Sequence, residues 1–303
     1  MRDHSVLAPA AVDRPTPAAV LELLKPITWF PPMWAFGCGL VSGGLTLPSQ
    51  IGLMLGGVVL AGPLLCGASQ AVNDWFDRHV DAVNEPNRPI PSGRVPGHWG
   101  LAIAVVASAL SLAVAAAFGR WVLVPAALGT ALSWAYSAPP LRLKANGWLG
   151  NAAVALSYEG LAWLAGAAVV AGTAPDGRVL ALALLYSLGA HGIMTLNDFK
   201  SVEGDRRMGV RSLPVQLGVR NAARVACAAM ALPQVAVALL LLEWGRAPYA
   251  LAIAALTAAQ LALMPRFLRD PRGEAPRYNA SGTGLSVLGM LVAAFAVRGL
   301  VIG

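Results

Sequence analysis

Two segments of this chain share one acidic pattern: Asn73-Asp74-Trp75-Phe76-Asp77-Arg78-His79-Val80-Asp81 and Asn197-Asp198-Phe199-Lys200-Ser201-Val202-Glu203-Gly204-Asp205. Each segment follows a long apolar stretch. Asn, Asp and the final Asp occupy the same offsets in both, whereas Ser201 stands where the first segment has Asp77. Acidic side chains at the ends of apolar helices are costly and mark functional sites. Divalent metal binding fits such a pair of segments best.

The composition is that of an integral membrane protein. The chain has 303 residues, 57% of them hydrophobic and 12% charged, and its mean hydropathy is +0.62. These values exclude an ordinary soluble enzyme. We predict an all-α integral membrane protein with nine transmembrane helices in a bundle around a central cavity, with spans at 27–47, 51–72, 99–118, 121–138, 149–171, 179–196, 222–242, 248–265 and 283–301.

The basic residues indicate the orientation in the membrane. Of the 22 Lys and Arg residues, 18 lie in the N-terminal arm or in loops that follow even-numbered spans, and four lie on the other side: Arg120, Arg178, Arg246 and Arg298. The positive-inside rule places the basic side in the cytoplasm. This orientation explains the net charge of +7, so we expect no nucleic-acid partner.

The two acidic segments also indicate how the chain is organised. Four predicted spans separate them, so both segments lie on the cytoplasmic side. Arg88-Pro89-Ile90-Pro91 follows the first segment, and Arg211-Ser212-Leu213-Pro214 follows the second. The likeness predicts an internal duplication of four-helix units with a ninth helix added. We assign residues 1–25 to a mobile cytoplasmic arm without a cleavable signal peptide, and residues 26–303 to the nine-helix domain.

If each helix continues into its acidic segment, the polar side chains of that segment share one face. At 100° per residue they fall within an arc of about 100°. The two sets are Asn73, Asp74, Asp77 and Asp81, and Asn197, Asp198, Ser201 and Asp205. Gln70 and Cys66 extend the first face inward, and Met194 and His191 extend the second. We therefore expect two polar faces on either side of one cavity.

Five carboxylates are the candidate catalytic residues and metal ligands: Asp74, Asp77, Asp81, Asp198 and Asp205. Such a cluster repels itself unless cations neutralise it. Mg²⁺ is the expected ion, with Mn²⁺ as a substitute, because Mg²⁺ binds a few carboxylates together with water and phosphate oxygens. Two other interpretations stay open. The acids are solvated helix ends, or they belong to an ion-coupled transporter, although transporter acids usually lie near the middle of the bilayer.

Other polar residues are candidates for binding a lipid diphosphate: Asn73, Arg88, Lys144, Asn197 and Arg211. Arg and Lys suit phosphate oxygens, but the positive-inside rule explains these three basic residues equally well. Glu159, within the fifth span, is a candidate cavity or acceptor residue, or else a neutral acid hydrogen-bonded between helices. His191 is a second candidate of this kind, and a buried core histidine is the more economical interpretation.

The pattern N-D-x-x-D-x-x-x-D, with a second acidic motif on a later helix, resembles that of the UbiA-type intramembrane prenyltransferases over essentially the whole chain. A narrower resemblance to the chlorophyll and bacteriochlorophyll synthase branch rests on residues 73–93, 136–144, 197–205 and 212–214. Many members of the general family carry an Asp where this chain has Ser201, and the Ser form is typical of that branch. Asp198 and Asp205, with Glu203, then remain as acids of the second motif.

The resemblance implies Mg²⁺-dependent transfer of a geranylgeranyl or phytyl group from its diphosphate to the propionate of bacteriochlorophyllide a. It also implies a bacterial inner membrane, cytoplasmic or intracytoplasmic, with membrane lipid and pigment-assembly proteins as partners. A propionate is already ionised near neutral pH, so the chemistry needs no strong general base. Two alternatives stay open: an enzyme of the same family acting on chlorophyllide or an aromatic acceptor, and a nonenzymatic pigment or ion transporter.

Overall fold

The computed structural model describes residues 13–301, and within this range the chain consists of helices and connecting loops. We number the helices along the chain as α1 (Pro17–Leu23), α2 (Phe30–Ser42), α3 (Ile51–Asn84), α4 (Trp99–Ala117), α5 (Arg120–Ser137), α6 (Gly147–Ala171), α7 (Gly177–Asp198), α8 (Val202–Arg207), α9 (Leu213–Leu217), α10 (Val219–Glu243), α11 (Ala247–Arg269) and α12 (Pro271–Val301). Short 3₁₀ turns at Pro26–Thr28 and Leu143–Ala145 precede α2 and α6. The predicted all-α class is confirmed.

Seven of the described helices are long and apolar enough to cross a membrane: α3, α4, α6, α7, α10, α11 and α12. The predicted spans 27–47 and 121–138 correspond to α2 and α5. Helix α2 itself has 13 residues, fewer than the roughly 20 of a typical crossing helix, and the 3₁₀ turn at Pro26–Thr28 precedes it. Helix α5 has 18 residues, with Arg120 at its start and Pro125 inside. The membrane-spanning helical fold is therefore confirmed, whereas the count of nine crossings and the four-helix duplication stay predictions.

Two of the long helices contain a π-helical turn, at Leu60–Cys66 in α3 and at Leu156–Leu161 in α6. Turns of this kind are rare and are frequent at functional sites. The two turns meet, because the Cys66 Sγ lies 3.4 Å from the hydroxyl of Tyr158. They therefore place polar side chains on facing walls inside the bundle.

Glycines bring α2 and α6 into close contact. A Cβ atom on Gly39 would lie 2.1 Å from the backbone oxygen of Trp163, and one on Gly166 would lie 2.1 Å from the backbone oxygen of Phe36. Small residues at helix crossings are typical of membrane proteins. The Trp163 Nε1 also donates a hydrogen bond to Ser42 Oγ at 2.8 Å. Helix α2 is thereby fixed as one wall of the bundle interior.

The described part of the arm predicted for residues 1–25 is packed against the bundle. Residues 1–12 lie outside the described residues. From Thr16 onward the chain is folded: the Thr16 hydroxyl accepts a hydrogen bond from the Ala19 amide at 3.2 Å, and Ala19 and Leu23 pack in one buried cluster with residues of α3. The apolar face of α1 explains this packing. It brings Lys25 to the first acidic segment, so the boundary expected at residue 25 falls within packed structure.

Candidate active site

The first acidic segment lies on one continuous helix. All residues from 73 to 81 belong to the last turns of α3, which ends at Asn84. Asp74 and Asp81 are buried, with 1% and 6% of their surface exposed, and Asp77 is half-buried. Buried carboxylates need neighbouring positive charge or hydrogen-bond donors to offset the loss of water.

Lys25 and Arg88 supply positive charge to Asp74 and Asp81. The Lys25 Nζ lies 2.5 Å from Asp74 Oδ1. The Arg88 Nη1 lies 3.5 Å from the same oxygen and 2.7 Å from Asp81 Oδ2. Burial alone would lower the pKa of Arg88, but the charges of Asp74 and Asp81 raise that pKa above its usual value. The guanidinium group of Arg88 therefore stays charged, and Lys25 and Arg88 lie together at the end of α3.

Asp77 is held by a lysine from the α5–α6 connection. The Lys144 Nζ lies 2.5 Å from Asp77 Oδ1, and Asn73 Nδ2 donates to Asp77 Oδ2 at 3.1 Å. Asn73 also donates to Ser137 Oγ at 3.3 Å. Burial lowers the pKa of Lys144, although its hydrogen bond with Asp77 opposes this shift. The ammonium group of Lys144 is thus more easily deprotonated than that of an exposed lysine.

The second acidic segment is not one continuous helix, and the predicted single polar face is wrong here. Helix α7 ends at Asp198, and Asp205 lies on the separate six-residue helix α8. Phe199 in the intervening turn is buried and packs edge-on against Phe267, with ring centroids 5.5 Å apart. This contact turns the chain away from the axis of α7, which a helical projection of the sequence does not show.

Neutral donors, and no cation, contact the carboxylates of the second segment. Asn151 Nδ2 donates to Asp198 Oδ2 at 3.2 Å, and Ser201 Oγ donates to Asp205 Oδ2 at 3.0 Å. Among the described residues, no Lys or Arg nitrogen forms an ion pair with either acid. Glu203 is exposed and pairs at the surface with Arg272 at 2.8 Å. Within the described residues, the two acids of the second segment therefore have no Lys or Arg as an ion-pair partner, and Glu203 does not join them.

The two acidic segments converge at one mouth. Tyr136, near the end of α5, lines the cavity between them. The Lys144 Nζ lies 6.0 Å from the centre of the Tyr136 ring. Asn73 and Asn197 line the same cavity. The structure thus brings together residues that are far apart in the sequence.

Backbone hydrogen bonds join the loops that carry Lys144 and Arg211. The Gly147 amide donates to the Arg211 oxygen at 2.8 Å, and the Arg211 amide donates to the Ala145 oxygen at 2.9 Å. A Cβ atom on Gly147 would lie 2.5 Å from the Leu213 nitrogen, so the close approach requires glycine. The side chain of Arg211 is exposed. In this structure Arg211 contacts its neighbours through its backbone, and its guanidinium group lies outside the ion pairs of the mouth.

An apolar cavity of about 540 Å³ lies behind the mouth. Its walls are mostly hydrocarbon and aromatic side chains, among them Phe30, Leu65, Leu132, Ala162 and Val287. Gln70, Cys66 and Met194 line it at the positions that helical spacing predicts. Gln70 Nε2 donates to the Tyr158 hydroxyl at 2.9 Å. The site therefore combines a charged rim with an apolar chamber, which suits a lipid-like substrate carrying one charged end.

The structure places the two candidate cavity residues differently. Glu159 lines the cavity. His191 is absent from its lining. It is buried against α6, with Nε2 3.3 Å from the Trp148 oxygen and ring centroids of the two side chains 5.7 Å apart. The face of α7 that carries His191 packs on the start of α6, so His191 occupies a core position, as the more economical of the two interpretations of the sequence expects.

The carboxylates fit a metal ion that is shared with a phosphate group. Among residues 13–301, no three His, Cys, Asp or Glu side chains lie close enough to enclose an ion by themselves. Mg²⁺ needs only one or two carboxylates when phosphate oxygens and water complete its coordination. The buried Asp74 Oδ2 has no hydrogen-bond partner, and Asp198 and Asp205 lack a paired cation. Asp74 Oδ2 is therefore free to accept a hard cation, and at Asp198 and Asp205 such a cation would compete only with neutral donors.

Three residues of the site escape prediction from the sequence. Lys25 was counted only as a basic residue of the arm. Asn151 contacts Asp198, and Asn279 Nδ2 donates to Asn197 Oδ1 at 2.9 Å. A polar residue on an apolar helix is the only signal that marks either asparagine. Lys25 lies just before the first apolar stretch, where a basic residue is ordinary.

Known proteins resemble this chain along most of its length. A model of the UbiA prenyltransferase family matches residues 28–297. The chain is 57% identical over 286 residues to the bacteriochlorophyll synthase 33 kDa chain of Cereibacter sphaeroides, a match that covers 94% of this chain and 95% of that protein. It is 50% identical over 299 residues to the bacteriochlorophyll synthase 33 kDa chain of Rhodobacter capsulatus, with 98% of both chains covered.

The fold also resembles that of a solved structure. A UbiA homologue from Archaeoglobus fulgidus bound to GPP and Mg²⁺ superposes with a TM-score of 0.71 and 20% sequence identity. The superposition covers 92% of this chain and 99% of that one. At this identity the likeness concerns the arrangement of helices.

Proposed function

This chain belongs to the UbiA prenyltransferase family, and from that premise we propose that it transfers a geranylgeranyl or phytyl group from its diphosphate to the propionate carboxylate of bacteriochlorophyllide a. The observation that carries the proposal is the rim of paired acids and cations at the mouth of an apolar cavity. The two bacteriochlorophyll synthase relatives, 57% and 50% identical, support this choice of acceptor.

The donor binds with its diphosphate at the rim and its isoprenoid chain in the apolar chamber. The proposed metal ligands and catalytic residues are the five acids Asp74, Asp77, Asp81, Asp198 and Asp205. Mg²⁺ bound there would neutralise diphosphate oxygens and so favour departure of the leaving group, and Mn²⁺ is proposed as a substitute. The amide side chains of Asn73 and Asn197 orient the carboxylates beside them and the diphosphate.

The cations of the rim stabilise the charge that grows on the diphosphate. Lys25, Arg88 and Lys144 present ammonium and guanidinium groups next to the acids, and these groups suit phosphate oxygens. They are already positioned before the bond breaks, so they favour the transition state without reorganisation. Arg211 joins them only if its exposed side chain turns inward, and its backbone bonds keep it within reach of the mouth.

The bond changes are simple. The C–O bond between the first isoprenoid carbon and the diphosphate breaks, and the diphosphate keeps the electron pair. A propionate oxygen of the pigment forms the new C–O bond and gives an ester. The propionate is already ionised near neutral pH, so no side chain has to remove a proton. The apolar walls exclude water, which would otherwise trap the allylic cation as an alcohol.

We also propose a membrane topology. Helices α2 and α5 cross together with the seven longer helices, which gives nine crossings in a domain of residues 26–303 built from two four-helix units and a ninth helix. The N-terminus and the acidic segments then face the cytoplasm of a bacterial inner membrane, cytoplasmic or intracytoplasmic. The distribution of Lys and Arg supports this orientation. Pigment-assembly proteins are the proposed recipients of an ester released into that membrane.

The experiment that tests the activity uses purified full-length protein in detergent. It is incubated with bacteriochlorophyllide a and geranylgeranyl or phytyl diphosphate, with Mg²⁺, with Mn²⁺ or with EDTA. The ester is detected by chromatography and mass. We expect ester in the metal-containing samples and none with EDTA.

Parallel samples separate the alternatives. Esterification of chlorophyllide alone, or prenylation of an aromatic acceptor alone, would keep the enzyme class and replace the acceptor. No release of diphosphate with any acceptor would contradict the proposed transfer and would favour a pigment or ion transporter. An Asp74→Ala sample serves as the control for contaminating activity.

A further inference from the structure

Glu159 is a buried carboxyl group that the reaction at the mouth does not use. It lies in the π-helical turn of α6, its surface is 9% exposed, and its Oε2 has no hydrogen-bond partner. It borders the large cavity on one side and a second cavity of about 10 Å³ on the other. A buried polar atom without a partner is costly, so this position requires an explanation.

The carboxyl group of Glu159 carries a proton. No Lys or Arg is found among the described residues that line either cavity. An isolated carboxylate in such surroundings would lose its hydration without any compensating charge, and neutralisation by a proton is the less costly state. Glu159 is therefore able to donate one hydrogen bond and to accept others.

The depth of Glu159 in the cavity decides which of the two substrates is able to form a hydrogen bond with it. The neighbouring Tyr158 contacts Cys66, which precedes Asp74 by eight residues, about 12 Å along a helix at 1.5 Å per residue. An isoprenoid chain at this depth has no polar atom and would leave Glu159 unsatisfied. The pigment is different, because a flat macrocycle with its propionate at the mouth brings peripheral carbonyl oxygens into the cavity.

We propose that the protonated carboxyl group of Glu159 donates a hydrogen bond to a carbonyl oxygen on the acceptor macrocycle, and so selects and orients the pigment. This inference rests on the proposed function and adds the residue that recognises the acceptor. Glu159 acts on binding and positioning, whereas the acids at the mouth act on the diphosphate.

The small cavity behind Glu159 supports the carboxyl group from the other side. Tyr186 and Gln234 line it, and both Tyr186 Oη and Gln234 Oε1 are buried without a partner. These two oxygens are neighbours, since a Cβ atom on Gly289 would lie 2.9 Å from each. A cavity of this size holds one water molecule, and three polar partners are typical of such a water. Glu159, Tyr186 and Gln234 together present that number of polar side chains to the small cavity.

The test measures the bound pigment itself. Bacteriochlorophyllide a is bound to purified full-length protein without a donor, and its carbonyl stretching bands are recorded by resonance Raman spectroscopy. We expect one carbonyl band at lowered frequency in the wild type and in Glu159→Gln, which keeps a neutral donor. In Glu159→Leu that band should return to the position of a free carbonyl, and the dissociation constant should rise about tenfold. Ser157→Ala, in the same turn and the same cavity wall, should leave the bands unchanged.

The outcomes distinguish the two levels of the proposal. Identical carbonyl bands in the wild type and Glu159→Leu would overturn the role of Glu159, while esterification by the wild type would still support the proposed function. A wild type that neither binds nor esterifies bacteriochlorophyllide a would overturn the proposed function as well. Glu159→Met provides a second apolar variant if the leucine variant does not fold.

Discussion

Replacing Lys25 with methionine removes the cation next to Asp74 and keeps a side chain of similar length. The Lys25 Nζ lies 2.5 Å from Asp74 Oδ1, and the Asp74 side chain is 2% exposed. In Lys25→Met the Asp74 carboxylate keeps one neighbouring cation, Arg88, whose Nη1 lies 3.5 Å from Asp74 Oδ1. Removing one partner of a fully buried ion pair costs about 3–5 kcal/mol. Because the Lys25 side chain is 22% exposed and Arg88 remains, we expect a loss of about 2 kcal/mol in the absence of Mg²⁺.

The same substitution should change catalysis and metal binding in opposite directions. Losing one positioned charge at the leaving group should lower kcat about 10²–10³-fold. Removing the ammonium group also removes a competitor for the Asp74 carboxylate, so Mg²⁺ should bind the variant more tightly. A ligand that binds the folded state stabilises it according to its affinity. Mg²⁺ should therefore raise the Tm of Lys25→Met by more than it raises the Tm of the wild type.

The assay combines thermal unfolding of the detergent-solubilised protein across a Mg²⁺ titration with measurement of ester formation. Lys25→Arg keeps the charge and should stay close to the wild type in stability. Arg94→Met is the matched control, because it breaks the surface ion pair with Glu22 on the same part of the chain, where such pairs contribute little. Wild-type turnover together with a wild-type response to Mg²⁺ in Lys25→Met would refute the reasoning.

Three further predictions test the rim. Asp74→Ala should lower ester formation by at least about 10²-fold while the protein still inserts into the membrane; near-normal turnover would exclude Asp74 from the site. Burial lowers the pKa of Lys144, so its ammonium group loses its proton at a lower pH than that of an exposed lysine. As pH rises, kcat/KM should fall together with this charge. Lys144→Arg should move the fall in kcat/KM to higher pH, and an unchanged pH profile would assign the fall to another group. Asp198→Asn should raise the Mg²⁺ concentration for half-maximal rate more than Asp81→Asn does, because Asp81 is already paired with Arg88; equal effects in a Mg²⁺ titration would contradict this division.

Local patterns made most of the fold predictable. The apolar stretches gave the helices, since a long hydrophobic run has few alternatives to a membrane helix. The interruption after Asp198 was not predictable, because Lys200 and Ser201 do not forbid a helix. The turn depends on packing of Phe199 against Phe267 from α11, a contact between distant parts of the chain. The π-helical turns of α3 and α6 likewise depend on tertiary packing.

The residue types of the site were predictable, and their partners were not. Asp77 and Lys144 were both singled out by sequence, but nothing in their spacing shows that they form an ion pair. The contact of Lys25 with Asp74 cannot be predicted from the sequence, because it depends on the packing of Ala19 and Leu23 against α3. Helical spacing alone predicts His191 on the cavity face, and packing of α7 against α6 removes it from the lining. A helical projection gives the face of a residue on its own helix, but not the helix that covers this face.

The ion pairs give the two acidic segments different tasks. Three cations balance three carboxylates of the first segment before any metal binds: Lys25, Arg88 and Lys144 against Asp74, Asp77 and Asp81. The second segment has neutral donors on its carboxylates, so in the proposed site no ammonium or guanidinium group among the described residues would compete there with a divalent cation. The cations of the first segment would then be available to the phosphate oxygens of the donor. Since Mg²⁺ requires only one or two carboxylates beside phosphate, the second segment does not need a third acid, and Ser201 at that position is compatible with the proposed site of five acids.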